Sequence, residues 1–438
     1  MKGAPTRRME TPMNAPLANP TVSRAVNVQQ ITTPRGVGAW LVEDYAVPLL
    51  SLEFAFKGGA AQDPPGKSGA ATMLASLLDE GAGPMDSQAF QQALDERAIE
   101  ISFNCDRDHI GGRMRTLIRN VAPAGELLRL AINAPRLDEG PIARVREQLS
   151  AGLRNEANDP GSLANRTWRA RSFPGHPYGL ATNGALDSLP RIERADLQRL
   201  ARDLIARSGL HVGIVGAIDA ERAARLIDAV FADLPQTSVL AEVADARFSG
   251  VGSIERVDLD VPQSTIRFGR PSLGRHDPDY MTSVLLTHIL GGGSLSSRLF
   301  HEVREKRGLA YSVSTSVSTL DHANFLHGGT ATKNERARES LDVITEQIRD
   351  LSDNGPNAEE FVKGKKYLIG SYPLRFDTSA KIAGQLVHIQ LEGFGPEWMV
   401  ERNRLIEAAT MDDARRVARR LFGDAAMSVA IVGRPVGI

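Results

Sequence analysis

The chain is poor in several things, and each shortage excludes something. Among 438 residues there is one cysteine, Cys105. No internal disulfide can form, and no cysteine-based zinc site is available. That leaves the compartment open, periplasmic or cytoplasmic, because many periplasmic proteins also lack disulfides. No apolar run approaches the ~20 residues needed to span a bilayer. Neither sign of charge prevails. The 52 Lys and Arg stand against 53 Asp and Glu, a formal net charge of -1. This argues against a broad nucleic-acid footprint, though not against a local basic patch. The N-terminal MKGAPTRRMETPMNAPLANP has no apolar h-region and does not read as an intact signal peptide. Residues 1–26 are rich in Pro, Ala and Asn and are expected to be disordered.

What remains is an ordinary soluble composition, 42% hydrophobic and 24% charged. The length calls for two or more domains. Strands are expected at 39–42, 49–56, 101–104, 109–116 and 211–216, and helices at 70–78, 87–96, 122–133, 144–156 and 196–206. The second half repeats the first. VGIVG at Val212–Gly216 matches VAIVG at Val429–Gly433, an offset of 217 residues that also superposes Asp196 on Asp413, Leu204 on Leu421 and Ser162 on Ser379. This reads as a duplicated domain, not a short-period solenoid. Each half mixes antiparallel-looking strands with helices that return over one sheet face, an α+β layering. The expected division is 1–26 as a disordered segment, 27–234 and 254–438 as the two domains, and 235–253 as the linker.

The stretch LGGGSLSSRLFHEVREKRGLAYSVSTSV, Leu290 to Val317, organises the rest. Gly291, Gly292 and Gly293 open it as a flexible joint. A helical pattern follows with Leu295, Leu299, Phe300 and Val303 on one face. Gly308 sits where a helix end wants a residue tolerant of positive φ. Tyr311, Val313, Thr315 and Val317 then alternate with serines as a strand. Arg304 falls in the last helical turn and Tyr311 at the strand start, so the joint can bring both to one rim of a sheet. Taken alone, Arg304 reads as a helix-terminal cation and Tyr311 as a half-buried strand aromatic.

This stretch resembles the C-terminal-half signature of the pitrilysin/insulysin-like metallopeptidases, the inverzincins. The resemblance covers nearly the whole chain after about residue 30 and includes the loop SFPGHPYG, Ser172–Gly179. It implies two such domains facing each other as half of a clam shell. It also implies that Arg304 and Tyr311, seven residues apart, contact substrate backbone near the scissile bond, and that Gly291–Gly293 lie near substrate.

Active members of that family carry H-x-x-E-H on a helix of the first half, with two His on zinc and the Glu as general base. Here the same register holds Thr72, Ala75 and Ser76. The region of the further ligand, near Gly152, has no carboxylate, with Glu147 and Glu156 nearest. No metal is therefore expected in this chain. His322 and His327 are in the wrong phase for one helix face, His288 reads as a satisfied core residue, His176 as a loop residue, and His301 as exposed. GKS at Gly66–Ser68 lacks the glycine that a phosphate-binding loop needs at position 61.

The resemblance implies a non-zinc subunit of a heteromeric zinc metalloendopeptidase, inactive alone, whose homologous partner supplies zinc and general base while this chain supplies Arg304 and Tyr311 to a peptide substrate. The alternative is a non-enzymatic assembly or peptide-holding subunit like the core proteins of respiratory complexes. A hydrolase with Thr72 or Ser76 as nucleophile lacks any adjacent base.

Overall fold

The structure is a computed structural model that describes residues 27–438; the segment 1–26 expected to be disordered lies outside the described residues. The first half carries β1 (Gln29–Thr32), β2 (Gly38–Glu43), β3 (Leu49–Lys57), α1 (Ala70–Ala75), α2 (Ser87–Asp95), β4 (Glu100–Cys105) and β5 (His109–Leu117). It continues with α3 (Val121–Asn133), α4 (Glu139–Glu156), α5 (Pro160–Ser172), α6 (Arg194–Leu204), β6 (Leu210–Gly216) and α7 (Ala220–Phe231). The second half carries β7 (Ser253–Val257), β8 (Gln263–Pro271), α8 (Tyr280–Thr287), β9 (Ala310–Leu320), β10 (Ala323–Lys333) and α9 (Ala337–Asn354). It ends with α10 (Ala358–Gly370), α11 (Ser379–Leu391), α12 (Trp398–Ala408), α13 (Met411–Phe422) and β11 (Ser428–Val432).

The duplication read from the VGIVG and VAIVG motifs is visible in the sheets. One runs β1-β2-β6-β3-β5-β4 and the other β7-β11-β8-β10-β9, the same order apart from the added β1. Each is antiparallel except for one parallel pair, β2 with β6 and β7 with β11. The fold is α+β, two mostly antiparallel sheets covered by helices.

Each sheet is covered on a second face by a helix from the other half. Strand β3 reads LLSLEFAFK with hardly a polar break because both its faces are buried. Leu50, Leu52, Phe54 and Phe56 enter the first core with the helices of their own half. Against the opposite face lies α11, whose Ile382, Ala383, Leu386 and Ile389 pack on Trp40, Val42 and Val215. Gln390 Nε2 donates to the Val212 carbonyl at 3.1 Å. In return α5 lies on the second sheet, where Trp168 Nε1 donates to the Ser428 carbonyl at 3.1 Å. A side chain at Gly269 would sit 2.4 Å from the Trp168 ring, so only glycine lets the indole reach β8. Burying an indole removes about 200 Å² from water, about 5 kcal/mol before ordering entropy is subtracted. Helices α5 and α11 are the pair that the 217-residue offset superposes through Ser162 and Ser379, so the exchange is reciprocal.

Residues 235–252 hold no helix or strand. They form a strap touching both halves. Val239 N donates to the Asp203 carbonyl and Ala246 N to the His322 carbonyl. Phe248 joins Trp168, Phe173 and Phe325 in one aromatic cluster. The loop SFPGHPYG, Ser172–Gly179, ties the halves further. Tyr178 is fully buried, donates to Asp108 Oδ1 at 2.5 Å and accepts from His322 N at 3.0 Å.

Several expected boundaries move. Helix α1 stops at Ala75, although Leu77 and Leu78 remain buried in the turn beyond it. Helix α4 starts at Glu139, a turn earlier than its apolar pattern shows. Leu295 is 68% exposed and does not share a face with Leu299, Phe300 and Val303. The reason is winding. Ser294–Ser296 is a separate 3-10 turn, and Phe300–Glu305 is π-helical, so the 3.6-residue spacing does not apply across the segment.

Candidate functional site

The helix-strand joint brings Arg304 and Tyr311 together. Gly308 takes φ 57° and ends the helix, its N–H donating to the Arg304 carbonyl at 3.0 Å. Leu309 N then donates to the Val303 carbonyl at 2.8 Å, and β9 begins at Ala310. The Arg304 guanidinium lies 4.8 Å from the centroid of the Phe300 ring and 4.4 Å from that of Tyr311. Two aromatic faces thus hold the cation by its quadrupole attraction rather than by a carboxylate. Tyr311 is 81% exposed, not half-buried. Among the described residues neither the Tyr311 hydroxyl nor the Arg304 guanidinium has a hydrogen-bond or ion-pair partner. Both present free donors on the same rim, at the start of an edge strand.

A second arginine anchors this rim and was not singled out in the sequence. Arg298 makes a two-pronged pair with Glu360 at 2.7 and 2.8 Å, meets Asp350 at 2.6 Å, and donates to the Gly355 carbonyl at 3.0 Å. It fastens the short helix that carries Arg304 onto α9 and α10. The only sequence signal is an Arg at the start of an otherwise apolar helical face.

The three glycines divide. Gly291 is buried against Leu299 and Thr315. Gly293 is buried against His288, whose ring would meet an added side chain at 2.1 Å. These two are close-packing positions in a π-helical turn, His288–Gly292, and its exit. Gly292 alone is exposed, and it lines a cavity of about 330 Å³ with Thr315 and Ser316 of β9. His288 is not a satisfied core histidine. It is half-buried, stacks on Tyr367 at 4.7 Å, and lines the same cavity.

The helix in the register of the zinc motif is committed to structure. Thr72 Oγ1 donates to the Thr182 carbonyl at 2.7 Å, Ser76 Oγ to the Thr72 carbonyl at 2.9 Å, and Ala75 is buried. Glu147 pairs with Arg154, and Glu156 accepts from Asn183 Nδ2 at 3.0 Å. Asp63 stands nearby but accepts the Gly69 and Ala71 N–H groups at 2.7 Å each, capping α1; burial pushes its carboxyl up to about 7 against those bonds. Burial likewise pushes Cys105 up to about 12, a thiol rather than a thiolate at neutral pH. Hydroxyls, a methyl group and engaged carboxylates do not fit the ligand chemistry of zinc. Among the described residues no group of three or more His, Cys, Asp and Glu is placed to hold a metal ion.

The other sequence candidates resolve into structural roles. His327 lies in mid-strand on β10, its Nε2 3.1 Å from the hydroxyls of Ser316 and Ser318. His322 N donates to the Tyr178 hydroxyl. His176 Nε2 meets the Ala244 carbonyl at 2.9 Å. His301 is exposed and pairs with Glu305 at 2.7 Å. Lys67 of the GKS run pairs with Asp196 at 2.5 Å, and Ser68 Oγ donates to the Ala181 carbonyl.

Comparison with known proteins follows the same line. Residues 191–368 match the family described as Peptidase M16 inactive domain. The protein named non-peptidase homolog YmxG of Helicobacter pylori is 25% identical over 337 residues, 77% of this chain and 78% of that protein. An uncharacterized zinc protease of Streptomyces coelicolor is 24% identical over 374 residues, 83% of this chain and 81% of its own. The solved peptidase M16 inactive domain from Pseudomonas fluorescens superposes with a TM-score of 0.88 at 25% identity, over 94% of this chain and 98% of that one. By its matched domain, its relatives and its superposition, this chain is similar to the pitrilysin/insulysin-like, M16 peptidases, and residues 191–368 match that family's inactive domain.

Proposed function

We propose that this chain is the non-zinc subunit of a heteromeric zinc metalloendopeptidase, supplying Arg304 and Tyr311 to a peptide bound between it and a homologous zinc-bearing subunit. The observation that carries this reading is the pairing of two free donors at one rim, Arg304 and Tyr311 with 4.4 Å between guanidinium and ring, in a chain whose own α1 has no metal ligands. A scaffold needs no such pair exposed and without a carboxylate. Peptide hydrolysis does need donors aimed at the oxygen that gains charge. The Tyr311 hydroxyl can donate to that oxygen, and the Arg304 guanidinium to a neighbouring backbone carbonyl of the peptide. The homologous partner would supply zinc and the general base, and the two half-shells would enclose the substrate. No helix among the described residues is long and apolar enough to cross a membrane.

Reconstitution tests the proposal. The chain alone should hold no stoichiometric zinc and cleave no peptide. Mixing with a zinc-bearing homologue should form a complex and give chelator-sensitive hydrolysis well above that of the homologue alone. Hydrolysis by this chain alone, or a complex no more active than the zinc-bearing chain by itself, would overturn it. The second of those results would leave a peptide-holding or assembly subunit.

A further inference from the structure

The cavity beside Gly292 has an unusual balance of charge. It lies between β9, α8, α11, α12 and the turn Tyr372–Phe376, and three arginines reach it, Arg275, Arg375 and Arg402. Among the described residues no Asp or Glu lines it. Arg275 is neutralised from behind by Glu392, its Nη2 donating to Oε1 at 2.7 Å. Among the described residues the other two meet no carboxylate. Arg402 is only 8% exposed, and its Nη1 donates to the Leu368 carbonyl at 3.0 Å and to Asn403 Oδ1 at 2.7 Å. Its guanidinium stacks on Tyr372 at 4.3 Å. Among the described residues it has no carboxylate partner, and the exposed Arg375 has neither a carboxylate nor a hydrogen bond. A guanidinium removed from water beside a second one is costly unless an anion joins them. Burial pulls Arg402 down to about 10, which still leaves it cationic at neutral pH.

The rest of the wall suits a peptide. Tyr280, Tyr372 and Trp398 supply aromatic faces, and Trp398 is itself stacked on Phe394 at 4.0 Å and 4°. About 330 Å³ is at the small end of ligand sites, room for a side chain or a chain end. Thr315 and Ser316 bring edge strand β9 to the cavity. From Tyr311 to Ser316 the strand rises ~16 Å. An extended peptide lying along β9 with one bond at Tyr311 would reach the cavity about five residues away.

We propose that this cavity is a subsite for a peptide carboxylate, an acidic side chain or a C-terminus, held by Arg375 and Arg402 over the aromatic wall. The choice of a peptide rests on the peptidase reading; the preference for a carboxylate rests on the cavity itself. The test uses the full chain without a partner and three five-residue probes. One is acetyl-Ala-Ala-Glu-Ala-Ala-amide, the second has Gln for Glu, and the third is the Gln peptide with a free C-terminus. Titration calorimetry should show at least one acidic probe binding about tenfold or more tighter than the neutral one, since a charge-assisted pair contributes on that scale. The tighter acidic probe identifies the carboxylate source. Arg375→Gln, at an exposed position where folding is not at stake, should remove most of the preference. Arg402→Gln, checked by circular dichroism, should do so as well. Equal binding of all three probes, or an undiminished preference in Arg375→Gln, would overturn the proposal. Carboxylate preference without turnover in the reconstituted mixture keeps the subsite and removes the peptidase role; turnover without the preference does the reverse.

Discussion

Replacing Tyr311 by phenylalanine removes one oxygen atom and keeps the ring. The structure gives that oxygen no partner among the described residues, and the side chain is 81% exposed. Its loss therefore strands no buried donor or acceptor. The phenyl ring still covers the Arg304 guanidinium at 4.4 Å, an exposed cation–π contact worth ~0.5–1 kcal/mol that a Phe retains. Folding stability of Tyr311→Phe should match wild type within ~0.5 kcal/mol, as for a surface change away from special features. Association with the proposed zinc-bearing partner should survive too. Turnover should not. If the hydroxyl donates to the developing oxyanion, kcat in the reconstituted complex should fall by ~10²–10³, about 2.7–4 kcal/mol. Arg304→Ala should raise KM as well as lower kcat, since it would hold substrate backbone in both ground and transition state. Urea melts, sedimentation and steady-state kinetics on the same preparations separate the three effects. Near-wild-type kcat in Tyr311→Phe, with the complex intact, would refute the reasoning and leave Tyr311 as a strand aromatic that shields an arginine.

Two further outcomes follow from packing and charge. Gly293→Ala would place a methyl group 2.1 Å from the His288 ring and push that ring off Tyr367, so it should cost ~1–3 kcal/mol in urea melts, as overpacking does; a loss below ~0.5 kcal/mol would mean the loop yields freely. His327 is pushed down to about 4 by burial, with Arg267 and Arg169 adding to the effect. The unfolded histidine binds its proton near ~6.5, so the native state loses stability as pH falls from ~6.5 to ~4, by up to ~1.4 kcal/mol per pH unit. His327→Gln should flatten that part of the profile, and identical slopes for the two proteins between pH 7 and 5 would refute the assignment.

Much of this was legible along the chain because it is local. Strand β3 shows in its apolar run, α6 in its 3.6-residue face, and Gly308 marks a helix end through the conformation it must take. The spacing of Arg304 and Tyr311 is a property of seven consecutive steps through a turn, so their meeting could be anticipated. Where reading failed, winding or packing intervened. Leu295 fits an α-helical stripe, yet the backbone turns as 3-10 and then π, which composition does not announce. His288 sits in an apolar run, yet its ring lines a cavity between β9, α8, α11 and α12. Arg298 looks like any helix-surface cation until Glu360 and Asp350 close on it from another part of the chain.

By itself the sequence determined the α+β character, the duplication and the absence of a zinc-ligand triad on α1, since each depends on residue type at fixed short spacing or on direct self-comparison. Only the tertiary structure decided which sheet each helix covers. An apolar helix face states that it must be buried but not against what, and α5 and α11 bury theirs against the opposite halves. The same holds for the cationic cavity. Arg275, Arg375 and Arg402 come from a loop, a turn and a helix, and among the described residues only Arg275 finds a carboxylate, Glu392, a pairing that exists only once the chain has folded.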